Sequence, residues 1–215
     1  HVTGVQTCAL PICLRTGWHP TMTFGTLGAS VGAGSLLGLD GAGLRNALGM
    51  GFHQTGGSAQ SMRDGVLSKR LGPGFAARSA VLAAFLAADG LTGTRRPLEG
   101  NAGLFRLYER DAVNPALVSA GWGERWSLGA VSFKPYPCCR CNHTTIELGT
   151  RLHAQGVRPG DVRQVRIGMG NANWLTVGER YDAQRESVVH AQFNAAYSFA
   201  RALADGRVDL TSYTP

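Results

Sequence analysis

Ser68-Lys69-Arg70-Leu71-Gly72-Pro73-Gly74-Phe75-Ala76-Ala77-Arg78 is the junction on which the reading of the fold turns. Its first seven residues are polar, rich in glycine and broken by proline, and they read as the end of a long loop over 54–74. Beyond them, 75–89 has the alanine-rich composition of a buried helix, with Gly90 placed to stop it. Lys69 therefore falls near a helix N-terminus, where backbone N–H groups already favour an anion. Lysine is scarce in this chain: Lys69 and Lys134 stand against nineteen arginines. A lysine is a compact point charge whose pKa responds to burial, whereas arginine is a permanently charged planar fork, so the two are not equivalent in a site.

Toward the N-terminus, 22–39 is small and apolar, as expected of a helix packed tightly on its neighbours. Asp40 is placed to cap a second helix through Leu44, Ala47, Leu48 and Phe52, which recur at helical spacing. Toward the C-terminus, 104–108 and 115–120 carry short helical patterns. The character then changes near Gly129. Residues 130–137 look extended, 144–155 helical, and 162–167 alternate at period two as a half-buried strand should. Helical spacing returns over 190–204, with Phe193, Tyr197 and Ala200 on one side. The expected fold class is mainly α with an α+β part: a helical domain over 14–130 and an α+β domain over 131–215. Residues 1–13 have neither the basic start of a signal peptide nor any periodicity, and they resemble a translated sequencing adapter. They are read as a non-native tail, which leaves Cys8 and Cys13 without a role.

With 215 residues and 44% apolar content, the chain can build a core, and its net charge of +7 attracts anions. The arginines are scattered, with no basic groove interleaved with aromatics, so nucleic acid is not expected. No apolar run reaches the ~20 residues of a membrane span, the longest being 80–88, so no membrane partner is expected either. Cys138, Cys139 and Cys141 crowd into four positions rather than spreading as a disulfide framework, which fits a reducing cytoplasm.

Several chemistries fail on spacing. A phosphate loop needs its lysine directly after a glycine, and Gly65-Val66-Leu67-Ser68-Lys69 does not comply. Ser68 and Lys69 are adjacent and point apart, which disfavours a serine–lysine pair. Zinc prefers two to four residues between thiolates, so Cys138, Cys139 and Cys141 with His143 are not expected to hold a metal. These thiols read instead as small buried hydrophobes, or as one pocket-lining group. His19, between Trp18 and Pro20, is either a pocket residue or a packed loop histidine; His53 reads as structural, His153 as part of a solvated helix face and His190 as the start of a helix.

Gly17-Trp18-His19-Pro20, Gly25-Thr26-Leu27-Gly28-Ala29, Leu37-Gly38-Leu39, Asp64-Gly65 with Ser68-Lys69-Arg70-Leu71, Pro73-Gly74-Phe75-Ala76-Ala77-Arg78, Leu98-Glu99-Gly100 and Phe133-Lys134-Pro135-Tyr136-Pro137-Cys138-Cys139 follow one another in order. Together they resemble the MmgE/PrpD family, which includes 2-methylcitrate dehydratase and cis-aconitate decarboxylase. The resemblance runs from about residue 15 to residue 206. It implies a lyase with no cofactor and no metal, a helical domain with an α+β lid, an active site between them, a homodimer, and a small polycarboxylate substrate.

Carried over by motif, Lys69, Lys134 and Cys139 are the expected catalytic residues. His19, Arg70, Arg140 and Tyr197 are the expected substrate-binding ones. The resemblance agrees with elementary chemistry. Eliminating water from a 2-hydroxy acid needs a base for the Cα proton and an acid for the leaving hydroxyl, and a lysine can stabilise the developing enediolate.

Three departures set this chain apart within the resemblance. Gly72 stands where the family often has histidine. Cys139 stands where the decarboxylase branch has a catalytic histidine, so dehydration is expected over decarboxylation. Family members are also considerably longer, and an upstream segment bearing an aspartate and a histidine of the site has no counterpart here, so these 215 residues alone are expected to be inactive. The alternatives are a non-catalytic, dimerising relative, or a family decarboxylase or epimerase.

Overall fold

The structure is a computed structural model that describes residues 16–124 and 126–213. The tail read as adapter-derived, 1–13, lies outside the described residues. The chain divides into two compact units, one of residues 16–60 and 68–131, the other of 61–67 and 132–213.

In the first unit, Trp18 pairs with Ser58 in an isolated antiparallel bridge, and His19 N–H donates to the Gly57 carbonyl at 2.8 Å. This pairing fixes where α1 (Pro20–Leu36) begins, with Pro20 in the first turn, where a missing N–H costs nothing. Helix α1 buries its own hydroxyls: Thr26 Oγ1 donates to Met22 O at 2.6 Å and Ser30 Oγ to Thr26 O at 2.7 Å. With those groups satisfied inside the helix, small polar side chains can face the core. Helix α2 (Gly41–His53) is capped as its sequence requires, Asp40 Oδ1 accepting from Gly43 N–H at 2.8 Å, an interaction typically worth ~1 kcal/mol.

The expected loop over 54–74 is shorter than its composition suggested. It contains α3 (Gln60–Arg63), and α4 (Ser68–Ala88) begins seven residues before the position read from sequence. Gly72, Pro73 and Gly74 carry low helix propensity, yet all three are helical because tertiary packing overrides it. Pro73 lies inside the helix and has no N–H for the Lys69 carbonyl. Helix α4 lays Ala76, Ala80, Ala83, Ala84 and Ala87 against α1 and α2. By length and composition it could cross a bilayer, unlike the shorter run read from sequence. Its buried alanine face is that of a core helix. Helices α5 (Leu104–Glu109) and α6 (Ala116–Ser119) complete the unit. Its apolar centre is Phe24, Leu27, Leu104, Phe105, Tyr108 and Val113, where burial of each large side chain contributes ~1.5–3 kcal/mol.

The second unit is built on α7 (His143–Ala154), α8 (Asn171–Val177), α9 (Val188–Gln192) and α10 (Ala195–Asp205). Helices α7 and α10 pack closely at Gly149, where a Cβ would lie 2.8 Å from Ala202 Cβ and 2.9 Å from Phe199 O. The continuous helix expected over 190–204 is broken at Phe193, and Asn194 caps α10 by accepting from Tyr197 N–H at 2.9 Å. That break shifts the buried face to Ala195, Ser198, Phe199, Ala202 and Leu203, and leaves Ala200 exposed.

The α+β character expected of residues 131–215 is not seen: among the described residues there is no strand. Residues 162–167 form no regular element and bend at Arg163, and Val165 is 44% exposed. Alternation makes a strand only where a neighbouring backbone completes the hydrogen-bond ladder, and 130–137 does not supply one. Residues 61–67 join this unit through Ser187, whose hydroxyl donates to the Gly65 carbonyl, and Arg185, which donates to Arg63 O at 3.2 Å.

Candidate active site

Lys69 is the second residue of α4, half-buried in the first turn. One turn on, Gly72 presents bare backbone to His19. A Cβ at Gly72 would lie 3.0 Å from His19 Cε1 and 3.1 Å from Nδ1. The imidazole, 6% exposed, occupies that space. Burial lowers the pKa of His19 below its ordinary 6.5, and the Lys69 ammonium adds to the effect. The pair thus consists of a cation and a neutral imidazole. Arg70, next along the helix, is exposed.

The second unit repeats this arrangement. Lys134 Nζ is 3.4 Å from the Cys138 carbonyl. The chain then runs through Cys139 and a short 3₁₀ turn (Arg140–Asn142) into α7, whose first residue is His143. Cys139 N–H donates to Gln192 O at 2.9 Å, and Gln192 Nε2 donates to Pro137 O at 2.7 Å, which ties this segment to the end of α9. His143 is buried against the edge of Tyr136, ring centroids 5.3 Å apart. Burial, followed by the charges of Lys134 and Arg140, lowers its pKa. Each unit therefore holds one of the two lysines and a buried histidine whose pKa that lysine's charge, after burial, helps to lower.

The remaining expected residues divide between the units. His19, Lys69 and Arg70 lie in the first; Lys134, Cys139, Arg140 and Tyr197 lie in the second. Arg140 donates to the Ser132 hydroxyl from an exposed position. Tyr197 belongs to a run of rings, its centroid 4.8 Å from that of Tyr181 and 5.7 Å from that of Tyr213, and its hydroxyl donates to Ser212 O at 2.6 Å. Tyr181 in turn stacks on His190, a buried imidazole whose pKa is lowered by burial first and Arg185 second.

Sequence reasoning gave no role to Asn142, Gln192, Ser198 or Tyr213, and weighed His143 only as a metal ligand. Asn142 is fully buried, and its Nδ2 donates to Gln192 O and to Ser198 Oγ, both at 3.1 Å. Ser198 Oγ is 3.1 Å from the Tyr213 hydroxyl, and burial raises the pKa of that phenol. The available signal was Asn142-His143 immediately ahead of the helical pattern, which reads as a cap; Asn142 makes no cap and bridges inward instead. No group of three or more possible metal ligands occurs among the described residues.

The sequence pattern of the MmgE/PrpD N-terminal domain matches residues 7–115, and that of the MmgE/PrpD C-terminal domain matches residues 136–215. The chain belongs to the MmgE/PrpD family. Among curated relatives, it is 27% identical to a cis-aconitate decarboxylase of Aspergillus terreus, over 94% of this chain and 43% of the relative. It is 25% identical to the cis-aconitate decarboxylase-like protein oryM of Aspergillus oryzae, over 94% and 44%. It is 32% identical to the human cis-aconitate decarboxylase, over 59% and 26%. The chain thus spans less than half the length of these relatives.

Proposed function

We propose that the protein carrying this chain is a lyase that eliminates water from a small polycarboxylate of the 2-methylcitrate type, with Lys69 and Lys134 as its essential cations. The feature that carries the reading is that each unit holds a buried histidine, His19 or His143, whose pKa is lowered first by burial and then by the charge of one of the two lysines. A neutral imidazole can accept the proton from the carbon beside a carboxylate, which an imidazolium cannot. The electrons of that C–H bond become the new C=C bond, and the hydroxyl on the neighbouring carbon leaves as water after taking up a proton. An ammonium beside the carboxylate stabilises the enediolate-like charge that develops between these events. In this reading Cys139 contacts the reacting centre, and Arg70, Arg140 and Tyr197 contribute to binding the carboxylates. No cofactor is required for such an elimination. A homodimer is part of the same reading and rests on the family resemblance, and a cytoplasmic location rests on the clustering of the cysteines.

A second reading, decarboxylation, is favoured by the names of the relatives above. There the bond broken is C–CO₂⁻ and the same cations would stabilise the resulting carbanion. The full-length protein, offered 2-methylcitrate and cis-aconitate separately, distinguishes the two by product. An alkene formed without CO₂ supports the dehydratase, release of CO₂ from cis-aconitate supports the decarboxylase, and turnover of neither overturns both.

A further inference from the structure

Cys138, Cys139 and Cys141 are all unbridged, but they are not equivalent. Cys138 is buried; its thiol donates to the Cys139 carbonyl at 3.5 Å, and it packs in the same apolar cluster as Tyr213. Cys139 and Cys141 are each half-buried and flank Arg140 in a 3₁₀ turn closed by Asn142 N–H donating to Cys139 O at 3.0 Å. Disulfides join residues whose Cα atoms stand about 5.5–6 Å apart, and positions i and i+2 around one helical residue fall near that separation. Cys139 is also the first cause of the raised pKa of the Cys141 thiol, ahead of burial, which sets the two thiols near one another. Cys139 N–H donates to Gln192 O at 2.9 Å, which holds that end of the turn in place.

We propose that Cys139 and Cys141 form a peroxide-sensitive dithiol, which closes to a disulfide within the turn. The Cys139 thiolate attacks one oxygen of a hydroperoxide, breaking the O–O bond; it becomes a sulfenic acid and the other oxygen leaves as water or alcohol. The Cys141 sulfur then attacks the sulfenic sulfur and displaces hydroxide, which leaves as water with the Cys141 proton. Two thiols lose two electrons and two protons, and the peroxide gains them. Because the proposed function puts Cys139 at the reacting centre, the disulfide would remove it from there; the bond itself does not depend on that reading.

The test uses the full-length protein carrying this chain, treated with hydrogen peroxide, alkylated, digested and mapped by mass. The expected result is a Cys139–Cys141 link, loss of alkylation at both residues, and full recovery after a dithiol reductant. Cys138→Ser should leave the link intact. Cys141→Ser should abolish it and leave a sulfenic acid at Cys139 that dimedone traps. Two alkylatable thiols after peroxide, or a link that maps to Cys138, would overturn the proposal. The map of the unsubstituted turn decides this even if a variant fails to fold, and it is independent of any lyase assay.

Discussion

The imidazole of His19 lies directly over the backbone of Gly72, 3.0 Å from where a Cβ at that residue would sit. The contact joins the second turn of the helix bearing Lys69 to the residue that precedes α1, and it accounts for glycine at a position where a side chain would displace the ring.

Gly72→Ala should therefore force His19, or Met22 at 3.3 Å from the same point, to move. The expected cost is about 1–3 kcal/mol, as for other overpacked sites, measured by denaturant unfolding. Combining it with His19→Ala should cost less than the sum of the two single changes, because the second substitution removes the obstacle. Additive losses would mean that the ring and the glycine do not share this space.

His19, His143 and His190 all have pKa values lowered from 6.5, each chiefly by burial. Below pH 6.5 the unfolded chain takes up protons that the folded chain does not, so the stability these groups contribute is present above 6.5 and is lost as the pH falls through the folded values. Unfolding measured at pH 7.5 and pH 5.5 should show the loss. By NMR, Lys69→Ala should raise the His19 pKa while leaving it below 6.5, because burial is the larger cause and the lysine charge the smaller.

Asn142 donates through Nδ2 to both Gln192 O and Ser198 Oγ from a fully buried position. Asn142→Ala should cost about 1–3 kcal/mol through the acceptors left unpaired. Asn142→Asp should cost more, since it sets a carboxylate oxygen against the Gln192 carbonyl. Ser198→Ala, which leaves the bond to Gln192, should be milder than either. Thermal unfolding of the three variants orders them.

Much of the helical half was legible because its signals are local. Asp40 caps α2, and Gly90, with φ +87°, ends α4 where its sequence indicated. The start of α4 was not legible, since Gly72, Pro73 and Gly74 argue against a helix and only contacts with distant residues outweigh them. The strand read over 162–167 failed for the converse reason: alternation describes one backbone, whereas a strand also needs a second. At the candidate site, the scarcity of lysine pointed to Lys69 and Lys134, and family motifs added His19 and Cys139. The residues around them, His143 whose pKa the Lys134 charge lowers and Gln192 bonded to the Cys139 N–H, lie on other elements or were open to a different reading.

The most direct test of the central claim is the steady-state turnover of a small polycarboxylate by the full-length protein, unsubstituted and with Lys69→Ala or Lys134→Ala. Each substitution should lower kcat by roughly 10²-fold or more, as expected for loss of an electrostatic or acid–base group, with thermal unfolding little changed. Wild-type turnover in both folded variants would contradict the assignment of these two lysines.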